Sequence, residues 1–237
     1  MRKWVVSSII AGLFLSMITT SQASFDSIPL GDYPRNSELY QLIKNESSLQ
    51  PLNEIILLPK SLFDEKAAAG IITRISNLPE TLLEKINEED ITLKLFTGKL
   101  TDNQTARYLA GQIPRGYNTQ TTWDEVPGIG GSQVVLVKIG HSEKGKGHGS
   151  VNLELHEIAH SIDNLVFQNI SKDKEFQLIW EEERGILFPG NSYFILHAEE
   201  YFAETFAMYY LNDKTKLELK KLAPQTFDFF QRLHERS

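Results

Sequence analysis

The sequence predicts an α+β fold, with a small mixed sheet and helices in an N-terminal lobe and a helical C-terminal lobe. Three observations carry this prediction. Residues 53–60, 91–96 and 134–139 are short apolar runs, the last strongly β-branched, of the length strands take. Glycine and proline crowd 111–132, which reads as loop. After Gly149 the pattern is helical throughout, so the lobes are 24–149 and 150–237 of one unit, with a cleft between them.

The elements follow in order. Met1-Arg2-Lys3, an apolar run from Trp4 and the small-residue end Ser21-Gln22-Ala23 have the form of a secretory signal. Cleavage is expected after Ala23, leaving no stable membrane anchor and a secreted, extracellular product. Residues 24–35 hold two prolines and read as an extended arm, too short for an inhibitory prosegment, so no zymogen processing is expected. A helix is predicted over 37–44, a strand over 53–60, a helix over 61–75 and another from Pro79 to 86. A strand over 91–96, a helix over 104–110 and a strand over 134–139 complete the first lobe. The second reads as helices over 150–166, 172–183, 196–211, 214–222 and 227–233.

Composition narrows the chemistry. The net charge is −7, and removing Arg2 and Lys3 makes it two units more negative, which argues against nucleic acid or an anionic membrane as partner. There is no cysteine. Any metal must therefore be held by histidine and carboxylate, and no disulfide or lipid-bearing thiol is possible.

The most specific stretch is His156-Glu157-Ile158-Ala159-His160. Histidines four apart on a helix project from one face, so both imidazoles can meet one ion. The intervening glutamate can reach a water on that ion. This is the H-E-x-x-H pattern of zinc peptidases. Catalytic zinc takes three protein ligands and keeps one position open. Metzincins supply a third histidine six residues on, with glycine at the third; here those positions are Val166 and Asp163, so that class is excluded. A carboxylate is expected instead. The richest source is the aromatic, alanine-rich stretch 193–206, where His197, Glu200 and Glu204 share a helical stripe; spacing alone leaves Glu200 and Glu204 as equals. His141 and His148 flank a Gly/Lys-rich loop and read as exposed residues, not ligands.

At this point the chain resembles a known family. His156-Glu157-x-x-His160-x-x-Asp163, Tyr193 and Glu200-Tyr201-Phe202-Ala203-Glu204 look like the anthrax lethal factor catalytic domain and its single-domain relatives, the secreted Pro-Pro endopeptidases. Thr122-Trp123-Asp124-Glu125-Val126-Pro127-Gly128, Lys144-Gly145-Lys146-Gly147-His148 and Leu222-Ala223-Pro224-Gln225-Thr226-Phe227 extend the likeness over roughly residues 50–233. The resemblance implies a gluzincin-like fold and one Zn2+ per chain on His156, His160 and Glu200. It implies Glu157 as general base and Tyr193 as the oxyanion-stabilising hydroxyl. Glu204 becomes an outer partner of the ligands, and Asp163 another or a helix cap.

The substrate so implied is a proline-rich peptide of an extracellular or cell-surface protein, cut at Pro-Pro by a monomer. It is expected to add as a strand along 134–139, against Val135 and Val137, although that apolar run also suits an interior strand. Tyr117 and Trp123 are candidate aromatic walls, Trp123 equally a packing residue. Relatives carry Lys-Gly-Trp where this chain has Arg115-Gly116-Tyr117; the retained cation is expected to pair with Glu199. Two rival readings remain: a lethal factor-like peptidase of another specificity, and a non-catalytic extracellular binding module.

Overall fold

Alternation along three short strands decides the architecture. In Ile56–Pro59 (β2), Thr92–Phe96 (β3) and Val134–Lys138 (β5), one set of side chains (Ile56, Leu58, Leu93, Leu95, Val135, Val137) enters the main core. The alternate set, Leu57, Phe96, Val134 and Leu136, enters a smaller cluster on the opposite face with Leu100, Ala106 and Val126. A strand buried on both faces is what parallel pairing between crossover helices requires. β2, β3 and β5 are indeed parallel neighbours. This computed structural model describes residues 26–43, 49–115 and 121–236. The expected signal, 1–23, and Tyr117 lie outside them.

Two antiparallel strands complete the sheet, in the order β1-β2-β3-β5-β4. β1 (Ser27–Pro29) pairs with β2, so part of the expected arm is an edge strand; its proline is tolerated at an edge. β4 (Gly128–Ile129) pairs with β5 through Gly128↔Val137 and Ile129↔Leu136. The sequence reading placed it in a loop, because its glycines carry no strand signal.

Helices Glu38–Leu42 (α1), Leu49–Ile55 (α2), Glu65–Ser76 (α3) and Glu80–Glu88 (α4) belong to the first lobe. Asp64 caps α3 by accepting from Ala67 N–H at 2.9 Å. The run 53–60 is thus split: Asn53 to Ile55 end α2 and only the remainder is strand. The helix expected over 104–110 is 3-10, Gln104–Leu109.

The second lobe comprises Leu153–Ser161 (α5), Lys174–Leu187 (α6), Ser192–Leu196 (α7), Ala198–Leu211 (α8), Asp213–Leu222 (α9) and Pro224–Arg236 (α10). α8 is buried without interruption from Glu200 to Tyr209, as its all-round apolar sequence requires of a central helix. α5 lies along it and on β5. One core cluster runs from Leu30 to Leu233 through both lobes, so their boundary is a cleft, not a break in packing. Among the described residues no helix is long and apolar enough to cross a membrane.

Candidate metal centre and active site

α5 begins later than the periodicity suggests, because a β-bridge between Glu143 and Asn152 holds the preceding backbone extended. Asn152 then caps the helix, accepting from Leu155 N–H at 3.0 Å. Glu154, fully buried, accepts from Arg74 of α3, and Arg74 also donates to Ser142 Oγ at 3.0 Å. The start of the H-E-x-x-H helix is thereby fixed to the first lobe. Glu154 is the buried member and Arg74 is partly exposed, so loss of Arg74 would strand a buried carboxylate without its cation.

Both imidazoles turn Nε2 toward Glu200, which comes from the first turn of α8. Glu200 Oε2 lies 3.3 Å from His156 Nε2 and 3.4 Å from His160 Nε2, and the two Nε2 atoms are 3.3 Å apart. Zinc with ligands at about 2.0–2.1 Å needs donor atoms about 3.3–3.4 Å from one another at the corners of a tetrahedron. Three donors at that spacing, two of them nitrogens facing each other, fit a cation. Among the described residues they are the group that could hold a metal.

The surrounding bonds fit the same role. His156 Nδ1 is 3.1 Å from Glu204 Oε2, while Glu204 Oε1 accepts from Val151 N–H at 2.9 Å. A carboxylate on Nδ1 keeps the proton there and leaves the Nε2 lone pair for metal. Burial resists charge on His156, but hydrogen bonds to Glu200 and Glu204 outweigh it and push its pKa up to about 10. Burial also resists charge on Glu200, yet both histidines hold its carboxyl far below the usual range. Glu200 and Glu204, equals by spacing, are separated by which imidazole nitrogen each reaches.

Tyr193, in α7, donates its hydroxyl to Glu200 Oε1 at 2.6 Å. Burial and the adjacent Glu200 carboxylate push the phenol well above its ordinary pKa, so it stays a donor. Asp163 is no outer partner of the ligands. Its buried carboxylate accepts from Ser171 N–H (2.8 Å) and Oγ–H (2.6 Å), tying the π turn Ile162–Val166 to the following segment.

Above these groups lies a cleft of about 800 Å³, lined by residues of both lobes. Glu157 points into it. Burial pushes its carboxyl above the usual range, the two histidines pull it back, and Gly130 N–H bonds to it. Arg115 crosses the cleft to Glu199 at 2.9 Å and Glu200 at 3.3 Å, and its guanidinium lies 5.9 Å from the Tyr193 ring centre. Arg115 and Glu199 are both substantially exposed, so this strut is worth roughly 0–1 kcal/mol and opens readily. Trp123 lines the cleft and also packs on the smaller core cluster. His148 is half-buried and lines the cleft, its Nε2 2.8 Å from His141 C=O; neither residue joins the donor group.

The expectation for Val135 and Val137 is overturned. Both are fully buried in the main core, and β5 has β3 on one side and β4 on the other, so it has no free edge. The edge belongs to β4, and Gly128, Ile129 and Gly130 line the cleft in place of the valines. The missed signal was the pair of glycines two apart. A Cβ on Gly128 would stand 2.9 Å from Glu157 Cγ, and one on Gly130 only 1.9 Å from the Glu157 carbonyl oxygen. Same-face glycines mark a strand pressed against another backbone.

The chain is similar to several known proteins. Residues 42–233 match the family model for anthrax toxin lethal factor, N- and C-terminal domain. A Pro-Pro endopeptidase of Clostridioides difficile (strain 630) is 44% identical over 184 residues, covering 77% of this chain and 82% of that protein. A Pro-Pro endopeptidase of Paenibacillus alvei is 37% identical over 183 residues, 77% of this chain and 84% of that protein. The solved structure of the P. alvei enzyme PPEP-2 superposes with a TM-score of 0.74 at 37% identity, covering 78% of this chain and 100% of that one.

Proposed function

The chain belongs to the anthrax toxin lethal factor family, and on that premise we propose that it is a zinc endopeptidase that cuts between adjacent prolines. The observation that carries the reading is the His156, His160 and Glu200 triad at tetrahedral spacing beside a half-buried Glu157 in an open cleft. The names of the relatives supply the peptide-bond chemistry and the proline preference.

Zinc, when bound, supplies a Lewis acid that polarises the scissile carbonyl and acidifies the attacking water toward neutral pH. Glu157, which lines the cleft beside both histidines, would accept the proton of that water and return it to the departing nitrogen. Tyr193 offers its hydroxyl to the developing oxyanion, and removing one such donor usually costs about 10²–10³ in turnover. The peptide adds to the free edge of β4. Proline donates no backbone N–H, so strand pairing must rest on flanking residues and on ring packing, a contact that the cleft-lining Trp123 would supply. The leader-like residues 1–23 support export, and we take the enzyme to be secreted, acting as a monomer on extracellular or cell-surface proteins.

A peptide pool with and without adjacent prolines, read by mass spectrometry, tests this. Pro-Pro peptides should be cut, a chelator should abolish cutting, and Glu157→Gln should be inactive with zinc retained. Equal cutting of peptides lacking adjacent prolines would leave the peptidase and reject the specificity. An uncut pool with zinc bound would reject both.

A further inference from the structure

Beside its two histidines α5 carries a second stripe, continued by the π turn: Glu157, Ser161 and Asn164, four and then three residues apart. All three meet the segment that closes β4. Gly131 N–H donates to Ser161 Oγ at 3.0 Å, and Ser161 Oγ–H donates to Ser132 C=O at 2.7 Å. Asn164 Nδ2 donates to Gly131 C=O at 2.9 Å. Gly131 has φ +89°, a conformation open to glycine, and Gly130 rests directly on the Glu157 carbonyl. Ser161 is fully buried, and through it the partly exposed Gly131 and Ser132 are tied to the interior of the helix.

A strand of two residues, one of them glycine, brings almost no side chain with which to anchor itself. The segment after β4 is fastened instead to the helix that carries the reactive groups. We infer that Ser161 and Asn164 are positioning residues: they clamp Gly130-Gly131-Ser132 to α5 and so set the distance from the peptide-receiving edge to Glu157. This rests on the peptidase reading above. Neither residue needs to touch the reacting atoms. A peptide bound to a displaced edge is still bound, but it is held at the wrong distance from the base. The loss should therefore fall on kcat and spare KM. An ångström of misplacement is enough to cost on the order of 10²-fold.

The full chain, zinc-loaded, is compared with Ser161→Ala and Asn164→Ala; Asn164 is only partly buried, which makes it the gentler variant. Two readouts are taken: steady-state hydrolysis of a Pro-Pro peptide, and amide hydrogen exchange at Gly131. The expected result is a kcat about 10–100-fold lower with KM little changed, faster Gly131 exchange in Ser161→Ala, wild-type zinc content, and a melting temperature lowered by a few degrees that leaves both variants folded at the assay temperature. Unchanged kcat in both variants despite faster exchange overturns the inference, as does a kcat loss that merely follows zinc loss or unfolding. Unchanged Gly131 exchange in Ser161→Ala overturns the clamp whether or not a substrate has been found.

Discussion

Glu204 and Asp163 are both acidic, both buried and both one turn from a candidate metal ligand, yet they make different contacts. The Glu204 carboxylate reaches His156 Nδ1, so it governs how well that imidazole donates to a metal. Glu204→Gln should weaken zinc binding about tenfold and Glu204→Ala nearer a hundredfold, measured by competition with a chromophoric chelator. Asp163 holds Ser171 instead. Asp163→Asn should leave zinc affinity unchanged while destabilising the fold by about 1–3 kcal/mol in urea, because a buried partner is lost. Equal effects of the two changes on zinc would contradict this division. The residues legible in the sequence were those whose chemistry and spacing sit in one short segment: His156, Glu157 and His160. Glu200 was not legible by spacing, because Glu204 lies on the same helical stripe one turn away. Only three-dimensional approach distinguishes an oxygen near both Nε2 atoms from one near Nδ1.

The strand that makes the cleft usable was the element least visible in the sequence. β3 and β5 announce themselves through apolar and β-branched side chains that fill two cores. β4 has the opposite composition for a physical reason: its inner face lies hard against α5, with Gly128 on the Glu157 and Leu153 side chains and Gly130, just past the strand, on the Glu157 backbone. The same cause hid the correct edge and drew attention to Val135 and Val137. Long helices were recognised, but their ends were not. Asn152 and its bridge delay α5, while extended His197 moves the start of α8 two residues past the predicted 196 and leaves Leu196 as the end of the unpredicted α7. Gly130→Ala should push β4 off the helix, since a Cβ at 1.9 Å from a carbonyl oxygen admits no local remedy. Turnover should fall at least about 100-fold and stability by roughly 1–3 kcal/mol. Gly185→Ala is the control: it lies within α6 with nothing within 4 Å of the added carbon, and it should raise stability by about 0.5–1 kcal/mol. Thermal melts and peptide turnover of the two variants check both. Matching behaviour would mean that close backbone approach is not what the glycine at 130 provides.

At the scale of the molecule, all three candidate ligands come from the helical lobe, while the edge proposed to receive the peptide and Arg115 come from the other. Such a division would let the lobes melt separately if each had its own core. They do not: the main cluster joins the buried face of the sheet to α5, α6, α8 and α10 without a gap. Arg74 also ties α3 to the start of α5. Binding a metal between α5 and α8 should therefore stabilise the whole chain. Metal that binds only the folded state at a free concentration of 100 times Kd adds about 2.7 kcal/mol. For a chain of this size that corresponds to a rise of roughly 5–11 °C in melting temperature. Calorimetry of chelated and zinc-loaded protein should show one cooperative transition in each case, displaced by that amount. Glu157→Gln should keep the displacement, because Glu157 is not among the three donors. Two transitions, only one of them moved by zinc, would show that the lobes are separate folding units and that the shared core does not couple them.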